Sequence, residues 1–236
     1  MIQLIHGDCL EEMKKIPDRS VDMVLTDPPY GTTACKWDTV IPLEPMWEQL
    51  KRVIKPNGAI VMTASQPFTT TLIASNMNLF RYCWVWEKSR ASNPMLAKKH
   101  PMKYHEDVCI FYLKQPTYNP ILWKGEKSHA TNDVESVIRI HGDRKSKSKA
   151  NTSDIKYPKS VIKIKSTNNV TNFHPTQKPV ALMEYLIKTY TNENETVLDF
   201  TMGSGTTMLA CKNLNRNGIG IELDETYFNI AKARIL

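Results

Sequence analysis

Short apolar runs alternate with amphipathic stretches along most of this 236-residue chain, and this alternation is the feature that most restricts its fold. Alternation of this kind is typical of a mostly parallel sheet covered by helices. The sequence therefore predicts an α/β fold with a mostly parallel seven-stranded sheet and helices on both faces. The predicted strands span 2–5, 22–26, 59–63, 82–87, 108–113, 196–200 and 218–222, and the predicted helices span 10–16, 43–54, 67–77, 179–190, 206–213 and 225–234.

The alternation stops near Gln115 and resumes near Pro175. The interval contains Pro116, Pro120, Trp123, a cationic run and "KSVIKIKS", whose period of two predicts a strand with lysines on one face. Intervals of this length inside a compact domain are usually functional or disordered. The chain is therefore expected to divide into a first half at 1–114, an insertion at 115–173 and a second half at 174–236.

The formal net charge of the chain is +7, and one segment alone has a net charge of +7. Residues 139–165 contain nine lysines and arginines against two aspartates, which is 9 − 2 = +7. The run "GDRKSKSKANTSD" within it predicts a mobile, solvated loop. Such a loop can also neutralise a nucleic-acid backbone by releasing counterions.

Several classes of protein and site are disfavoured by the sequence. No apolar run approaches the roughly 20 residues of a bilayer span, and the N-terminus becomes polar after five residues, so no membrane partner is expected. The five cysteines contain no C-x-x-C pair, which predicts reduced thiols in a cytoplasmic protein. No metal is expected at "HED", 105–107, because adjacent residues of an extended segment point in opposite directions.

The stretch "TVLDFTMGSGTTMLACKNLNRNGIGIELD", 196–224, predicts a strand, a glycine turn, a helix and a second strand that ends in acids. Gly203 and Gly205 would let the backbone approach a ligand at the start of the helix, and Glu222 lies where doubly wound folds place a ribose-binding carboxylate. Neither the third glycine of a dinucleotide fingerprint nor a P-loop lysine follows. The pattern favours a nucleoside without a pyrophosphate, and a purely structural turn is the alternative.

A second ligand motif, "TDPPYG", follows the predicted strand at 22–26. Pro28 and Pro29 have no N–H donors and little freedom in φ, so they form a rigid turn at the sheet edge that faces ligands. This turn presents the Asp27 carboxylate and the Pro28 carbonyl as acceptors beside the flat ring of Tyr30. Two acceptors and a ring suit a planar substrate with an exocyclic amino group. A proline-rich turn capped by an aspartate is the alternative.

The chain resembles the β-group of S-adenosylmethionine-dependent DNA amino-methyltransferases in its motifs and in their order. The motifs are "DPPY", "HPTQKP" at 174–179, "LDFTMGSGTT" and "GIGIELDETY". The resemblance covers the chain outside the insertion. It implies a Rossmann-like methyltransferase fold, S-adenosylmethionine without a metal, and double-stranded DNA as the substrate, in a bacterial or phage-infected cell. It also allows a homodimer and a cognate restriction nuclease as partners.

The resemblance assigns roles by position. The D-P-P-Y residues Asp27, Pro28, Pro29 and Tyr30 would hold a target base. One departure is that the family usually has Pro-Phe after the aspartate of the glycine loop, whereas this chain has Phe200-Thr201. The residues expected at the cofactor are Asp8, Cys9, Asp27, Thr176, Lys178, Asp199, Phe200, Thr201, Gly203, Ser204, Gly205, Thr206, Glu222 and Leu223.

DNA recognition is expected in the insertion, because it is cationic and lies outside the motifs of the chemistry. Lys36, Trp37 and Asn93, just beyond the predicted catalytic strands, are further candidates, with ordinary surface or core roles as the alternative. The candidates within the insertion are Arg139, Arg144, Lys145, Lys147 and Lys149.

The implied reaction is methyl transfer to N6 of an adenine extruded from DNA. Transfer to cytosine N4 is the first alternative, although the members of this group that methylate cytosine more often have serine in place of Asp27. Enzymes that methylate RNA or protein amines typically place the motif after the glycine loop, the reverse of the order here. A DNA-binding module without catalytic activity is the last alternative, and the joint presence of Asp27, Tyr30, Gly203, Gly205 and Glu222 argues against it.

Overall fold

The computed structural model describes residues 1–33, 35, 38–126, 134–138, 144–148, 153–166 and 176–236, with only the backbone of 134–138 and 144–148. These residues form two compact units. The larger unit contains Met1–Asn119 and Ser160–Leu236, and the smaller contains Pro120–Lys159. Residues 160–173, placed in the insertion by the sequence prediction, therefore do not group with the smaller unit where they are described.

The helices and strands follow the predicted alternation, with shifts of a few residues at most of their ends. The strands are β1 (Ile2–His6), β2 (Val21–Thr26), β3 (Ile54–Ala64), β4 (Phe80–Glu87), β5 (His105–Phe111), β6 (Trp123–Lys124), β7 (Val134–Ile138), β8 (Arg144–Ser148), β9 (Ile155–Lys156), β10 (Val161–Lys163), β11 (Thr196–Asp199) and β12 (Asn217–Glu222). The helices are α1 (Cys9–Met13), α2 (Leu43–Val53), α3 (Phe68–Ser75), α4 (Val180–Tyr190), α5 (Thr206–Asn213) and α6 (Glu225–Ile235), with a 3-10 turn at Pro94–Leu96.

The larger unit is built on one sheet with the strand order β1-β12-β11-β2-β3-β5-β4-β10. Five pairings are parallel, and the two pairings of β5 are antiparallel. The predicted α/β fold with a mainly parallel sheet is confirmed. The predicted number of strands is wrong, because the described part of this sheet has eight. The eighth is β10, which comes from "KSVIKIKS" and pairs with the edge of β4, burying Ile162.

Alternate residues of each strand point to opposite sides of the sheet. Both sides carry apolar side chains, and helices cover both. Met23 and Leu25 pack into an apolar cluster with α4, α5 and α6. Val24, between them, packs into a second cluster with α1, α2 and α3. A strand buried on both faces is apolar at successive positions, which explains the run "MVL", 23–25, in β2. Asp22, near the amino end of the strand, is the exception.

The smaller unit contains two short antiparallel pairs, β6 with β9 and β7 with β8. The indole of Trp123 donates a hydrogen bond to the Tyr157 carbonyl at 2.9 Å, and the Lys159 ammonium lies 4.6 Å from the centre of the Trp123 ring. Part of the cationic run predicted as a loop is instead β8.

Within the described residues, no helix has the length and apolarity needed to cross a membrane.

Candidate active site

The carboxyl ends of β2, β11 and β12 open into a cleft of about 1470 Å³ in the larger unit. Parallel strands bring their carboxyl ends to one edge of a sheet, so the residues that follow them come together there. Asp27 follows β2, Asp199 ends β11 and Glu222 ends β12, and all three line the cleft. Asp27 and Gly203 therefore share one cavity, although 176 positions separate them in the chain, as 203 − 27.

The side chain of Asp27 is held on both oxygens. Its Oδ1 accepts hydrogen bonds from the Tyr30 hydroxyl at 2.6 Å and from the Thr63 hydroxyl. Its Oδ2 lies 2.7 Å from the Lys178 ammonium nitrogen. A carboxylate has about four lone-pair sites, so these three donors leave roughly one for a ligand.

Tyr30 supports this arrangement with its hydroxyl and its ring. Burial, followed by the charges of Asp27 and Glu106, raises the pKa of Tyr30, so its hydroxyl stays protonated and donates. The ring stacks on Phe68 with centres 5.4 Å apart. The sequence analysis predicted only a flat ring at this position, so the hydrogen bond to Asp27 is an additional finding.

Lys178 belongs to a buried row of alternating charges. Its side chain is 8% exposed, and its nitrogen lies 2.7 Å from Asp27 Oδ2 and 3.2 Å from Glu106 Oε2. The other oxygen of Glu106 lies 2.9 Å from the Lys88 nitrogen. Burial alone would lower the pKa of Lys178, but the carboxylates of Asp27 and Glu106 raise it. Burial alone would likewise raise the pKa of Glu106, but Lys178 and Lys88 lower it.

Glu106 reaches this edge because β5 runs antiparallel to β3, so that its amino end lies beside the carboxyl ends of the parallel strands. The sequence analysis considered "HED" only to argue against a metal site there. Its three residues have different surroundings: Asp107 accepts a hydrogen bond from Thr69, Glu106 contacts two lysines, and His105 is exposed. A charged residue near the start of a buried strand was the signal available in the sequence.

Asp38 organises the loop that follows the D-P-P-Y motif. Its two oxygens accept hydrogen bonds from the backbone N–H groups of Tyr30, Gly31, Thr32 and Thr33, at 2.7 to 2.9 Å. Burial opposes ionisation of Asp38, but these N–H groups and the Thr33 hydroxyl outweigh it and lower its pKa. Gly31 has a positive φ of 68°, which glycine adopts readily. The sequence analysis did not identify Asp38.

On the other side of the cleft, Glu222 is anchored by backbone groups. Its Oε2 accepts from the Gly203 N–H and its Oε1 from the Asp224 N–H, both at 2.8 Å. Gly203 has a positive φ of 52°, a conformation that other residues adopt at a cost. Burial raises the pKa of Glu222. This carboxylate is therefore a fixed acceptor beside the glycine turn.

Asp199 joins the two halves of the site. It is buried, and its Oδ1 accepts from the Thr26 hydroxyl at 2.8 Å and from the Thr201 N–H at 3.1 Å. Burial raises its pKa to about 6. The Thr201 hydroxyl also donates to the Asp27 carbonyl at 3.2 Å. Asp199 and Thr201 thus attach the glycine loop to the end of β2.

The departure at Phe200-Thr201 has a structural account. Phe200 is 1% exposed and packs in the apolar cluster on the α1–α3 side, although it also contributes to the cleft wall. Thr201 supplies the hydroxyl that contacts Thr26 and the Asp27 backbone. Threonine at position 201 therefore connects the glycine loop to the D-P-P-Y motif through its hydroxyl, which the phenylalanine usual in the family at this position could not do.

Gly205, whose contact with the ligand stays a prediction, has a packing role in the structure. It does not line the cleft, whereas the other predicted cofactor residues do. It has a φ of +79°, and a Cβ at this position would lie 2.6 Å from Ile235 Cδ1 and 2.9 Å from Ala231 Cβ. The missing side chain therefore allows the start of α5 to pack against α6.

The N-terminal residues of the cleft contribute a cap and a neutral thiol. Asp8 Oδ1 accepts from the N–H groups of Leu10 and Glu11 at the start of α1. Burial raises the pKa of Cys9 to about 12, so its thiol is not a nucleophile at neutral pH. Asp8, Cys9 and Leu223 all line the cleft.

Comparison with known proteins decides the family. The profile of the N6_N4_Mtase family, described as DNA methylase, matches residues 21–233. The chain belongs to this family of DNA methylases. The methylase is 26% identical to the type II methyltransferase M.HpaI of Haemophilus parainfluenzae, over 99% of this chain and 74% of that protein. It is 30% identical to the type II methyltransferase M.BglII of Bacillus subtilis, over 97% of this chain and 67% of that protein.

Solved structures agree with this assignment. The M1.HpyAVI–SAM complex superposes with a TM-score of 0.68 at 29% identity, over 99% of this chain and 98% of that one. The cytosine-N4-specific PvuII DNA methyltransferase superposes with a TM-score of 0.71 at 17% identity, over 100% and 86% of the two chains. The second comparison shows a shared fold only. The resemblance noted from the sequence motifs is confirmed.

The DNA-contact candidates of the methylase are only partly described. Lys36, Trp37, Arg139 and Lys149 lie outside the described residues, and the side chains of Arg144, Lys145 and Lys147 on β8 are not described. Asn93 lines the cleft, and its Oδ1 accepts from the Lys103 N–H at 2.6 Å. No group of three or more metal-ligating side chains occurs in the part of the chain that the structure describes.

Proposed function

We propose that the protein is a site-specific DNA methyltransferase that transfers the methyl group of S-adenosylmethionine to N6 of an adenine extruded from double-stranded DNA. The observation that carries the proposal is the single cleft lined by Asp27 on one side and by Gly203 and Glu222 on the other. Membership of the DNA methylase family and the type II relatives support it.

The cofactor side fits S-adenosylmethionine by its chemistry. Glu222 is a fixed carboxylate at a strand end, the position where a ribose hydroxyl pair is bound in related sheet architectures. At about 1470 Å³ the cleft exceeds the volume of roughly 300–1,000 Å³ typical of ligand sites, so a nucleoside cofactor and a base fit together. When bound, S-adenosylmethionine would supply an electrophilic methyl group, with S-adenosylhomocysteine as the leaving group and one proton lost from the methylated amine. M1.HpyAVI, at 29% identity, has been solved with this cofactor.

The D-P-P-Y side provides acceptors for the target amine. The free lone pair of Asp27 and the Pro28 carbonyl accept the two N–H groups of an adenine amino group. An aromatic amine is a poor nucleophile because its lone pair is delocalised into the ring, and holding both hydrogens draws the nitrogen toward tetrahedral geometry. Tyr30, Thr63 and Lys178 keep the carboxylate in place, so most of the acceleration comes from orientation.

We propose adenine rather than cytosine as the target base because residue 27 is an aspartate. Members of the resembled group that methylate cytosine N4 more often have serine there, and serine offers a single hydroxyl where Asp27 offers two oxygens. The fold shared with the cytosine-N4-specific PvuII enzyme, at 17% identity, carries no weight for the target base.

DNA recognition is assigned to the insertion, with residues 1–114 as the catalytic half and 174–236 as the cofactor half. Exposed aromatic and basic residues in the smaller unit, among them Trp123, Lys124 and Tyr157, are compatible with DNA contact. A homodimer and a cognate nuclease stay predictions.

The experiment is an incubation of the protein with methyl-labelled S-adenosylmethionine and either unmethylated bacterial DNA or total RNA, followed by nucleoside analysis. The expected product is N6-methyldeoxyadenosine from DNA. N4-methyldeoxycytidine would overturn the choice of base, and label in RNA alone would overturn the substrate. If no methyl group were transferred to either DNA or RNA, a non-catalytic DNA-binding module would be favoured. Sequencing of the modified DNA would then locate the site.

A further inference from the structure

A second cationic segment, outside the predicted insertion, borders the cleft. It is the β4–β5 loop, residues 88–104, which contains five lysines and arginines and no aspartate or glutamate. Arg90, Lys98 and Lys99 are exposed. The sequence analysis attributed the charge excess to residues 139–165 and identified only Asn93 here. A local charge of +5 is complementary to a phosphate backbone.

The same loop exposes large apolar side chains. Met95 is 96% exposed, and Leu96, Met102 and Tyr104 are also exposed. Single exposed apolar residues are common on protein surfaces, but four within ten positions of one loop are unusual. Apolar and cationic side chains together are typical of proteins that contact DNA and insert a side chain between bases.

The position of the loop relates these side chains to the chemistry. Arg90, Asn93, Leu96 and Lys103 line the same cleft as Asp27. Met95 precedes Leu96 in the 3-10 turn Pro94–Leu96. A side chain at the tip of this turn therefore lies at the border of the cleft that a base must enter.

Hydrogen bonds hold the loop in shape. Asn93 Oδ1 accepts from the Lys103 N–H at 2.6 Å, and the Ser92 N–H donates to the Lys103 carbonyl at 3.0 Å. At its base, the Lys88 N–H donates to the Tyr104 carbonyl at 2.7 Å. A tip fixed in this way loses little conformational entropy when it is inserted into a partner.

We propose that the β4–β5 loop contacts duplex DNA at the mouth of the cleft, and that Met95 enters the space in the base stack left by the extruded base. This rests on the proposed function. Extrusion costs a few kcal/mol of pairing and stacking, and an apolar side chain in the gap recovers part of the lost contact. Lys98 and Lys99 contact phosphates beside it.

The test of Met95 uses two duplexes that carry the mapped methylation site. One has the target base paired, and the other has an abasic position opposite the target, so that the base is already unpaired. Met95→Ala should lower kcat/KM by about tenfold or more on the paired duplex and by less than about twofold on the unpaired one, because the gap-filling role is then largely unnecessary. Met77→Ala is the matched control, since Met77 is 59% exposed between α3 and β4, at the opposite edge of the sheet.

Equal losses on both duplexes, or no loss on either, would overturn the role of Met95. The phosphate contacts are tested by measuring the affinity of the Lys98→Ala/Lys99→Ala variant for duplex DNA at several salt concentrations. The slope of log affinity against log salt should fall by up to about 2. Lys51→Ala/Lys114→Ala, exposed at the opposite edge, should leave it unchanged.

An unchanged slope in the Lys98→Ala/Lys99→Ala variant would overturn the DNA contact. This titration requires no turnover. If the wild-type protein fails to methylate DNA while the variant still flattens the salt dependence, the proposed function fails and the contact stands.

Discussion

The two sides of the cleft hold their carboxylates in different ways. On the D-P-P-Y side, Asp27 and Glu106 contact the ammonium groups of Lys178 and Lys88. On the glycine-loop side, Asp199 and Glu222 accept hydrogen bonds from backbone N–H and hydroxyl groups. The pKa shifts differ accordingly, because the lysines outweigh burial and lower the pKa of Glu106, whereas burial dominates and raises those of Asp199 and Glu222.

The difference is consistent with what each side would bind. A sulfonium is a cation, so neutral donors around Asp199 and Glu222 hold the carboxylates in place without adding positive charge next to it. The target amine is neutral and needs an acceptor of fixed direction. Lys178 provides that direction for Asp27, and Glu106 in turn holds Lys178.

The largest effect is expected when the acceptor itself is removed. Asp27→Ala should lower the single-turnover rate of methyl transfer by at least about 1000-fold, since a group that orients the reacting amine is lost. The affinity for S-adenosylmethionine, measured by calorimetry, should change only a few-fold because Glu222 and the glycine loop stay intact. Methyl transfer at a rate near that of the wild type would contradict the role of Asp27.

Breaking the buried row of charges should cost stability. Lys178→Met leaves two carboxylates without their shared cation and should lower the free energy of unfolding by about 3 kcal/mol. The double variant Lys178→Met/Glu106→Gln should lose less unfolding free energy than the sum of the losses of the two single variants. The coupling between the two sites should be about 1 kcal/mol or more. Denaturant unfolding of the four proteins measures this cycle. Additive losses would show that Glu106 and Lys178 act independently.

The glycine-loop side should respond to pH instead. The pKa of Asp199 is about 6 in the folded protein, compared with an ordinary value of 3.8. The folded state therefore binds its proton more tightly, and stability falls as pH rises from about 4 to about 6, by at most about 3 kcal/mol.

Asp199→Asn removes this loss while keeping an acceptor for Thr26 and Thr201. The unfolding free energy of the variant relative to the wild type should increase between pH 4 and pH 8, by at most about 3 kcal/mol. A difference that does not vary with pH would show that Asp199 carries no such penalty.

The smallest effect is expected at the junction of α5 and α6. Gly205→Ala places a methyl group against Ile235 and Ala231 at a positive φ, and should lower the free energy of unfolding by about 1–2 kcal/mol. Because Gly205 does not line the cleft, the affinity for the cofactor should change little. Thermal unfolding and cofactor titration separate these outcomes. A large loss of affinity without a loss of stability would support the predicted contact of Gly205 with the ligand.

Much of the fold was accessible from the sequence because its signals are local. Period-two and helical spacing located most elements, and two motifs at strand ends placed Asp27 and Glu222 at one edge of the sheet. For Gly205 the sequence left two roles open, because a glycine required by helix packing has the same sequence pattern as one required by a ligand. Asp38 was missed because a carboxylate that binds loop N–H groups has no characteristic spacing.

The sequence by itself determined the alternating α/β order, the rigid D-P-P-Y turn and the glycine turn, since each depends on residues that are neighbours in the chain. Only the tertiary structure decided that β10 joins the sheet, that β5 runs antiparallel, and that Lys178 contacts Asp27 across 151 positions. The physical reason is that periodicity reports which face of an element is buried, whereas strand order and direction depend on the packing of elements that are distant in the chain.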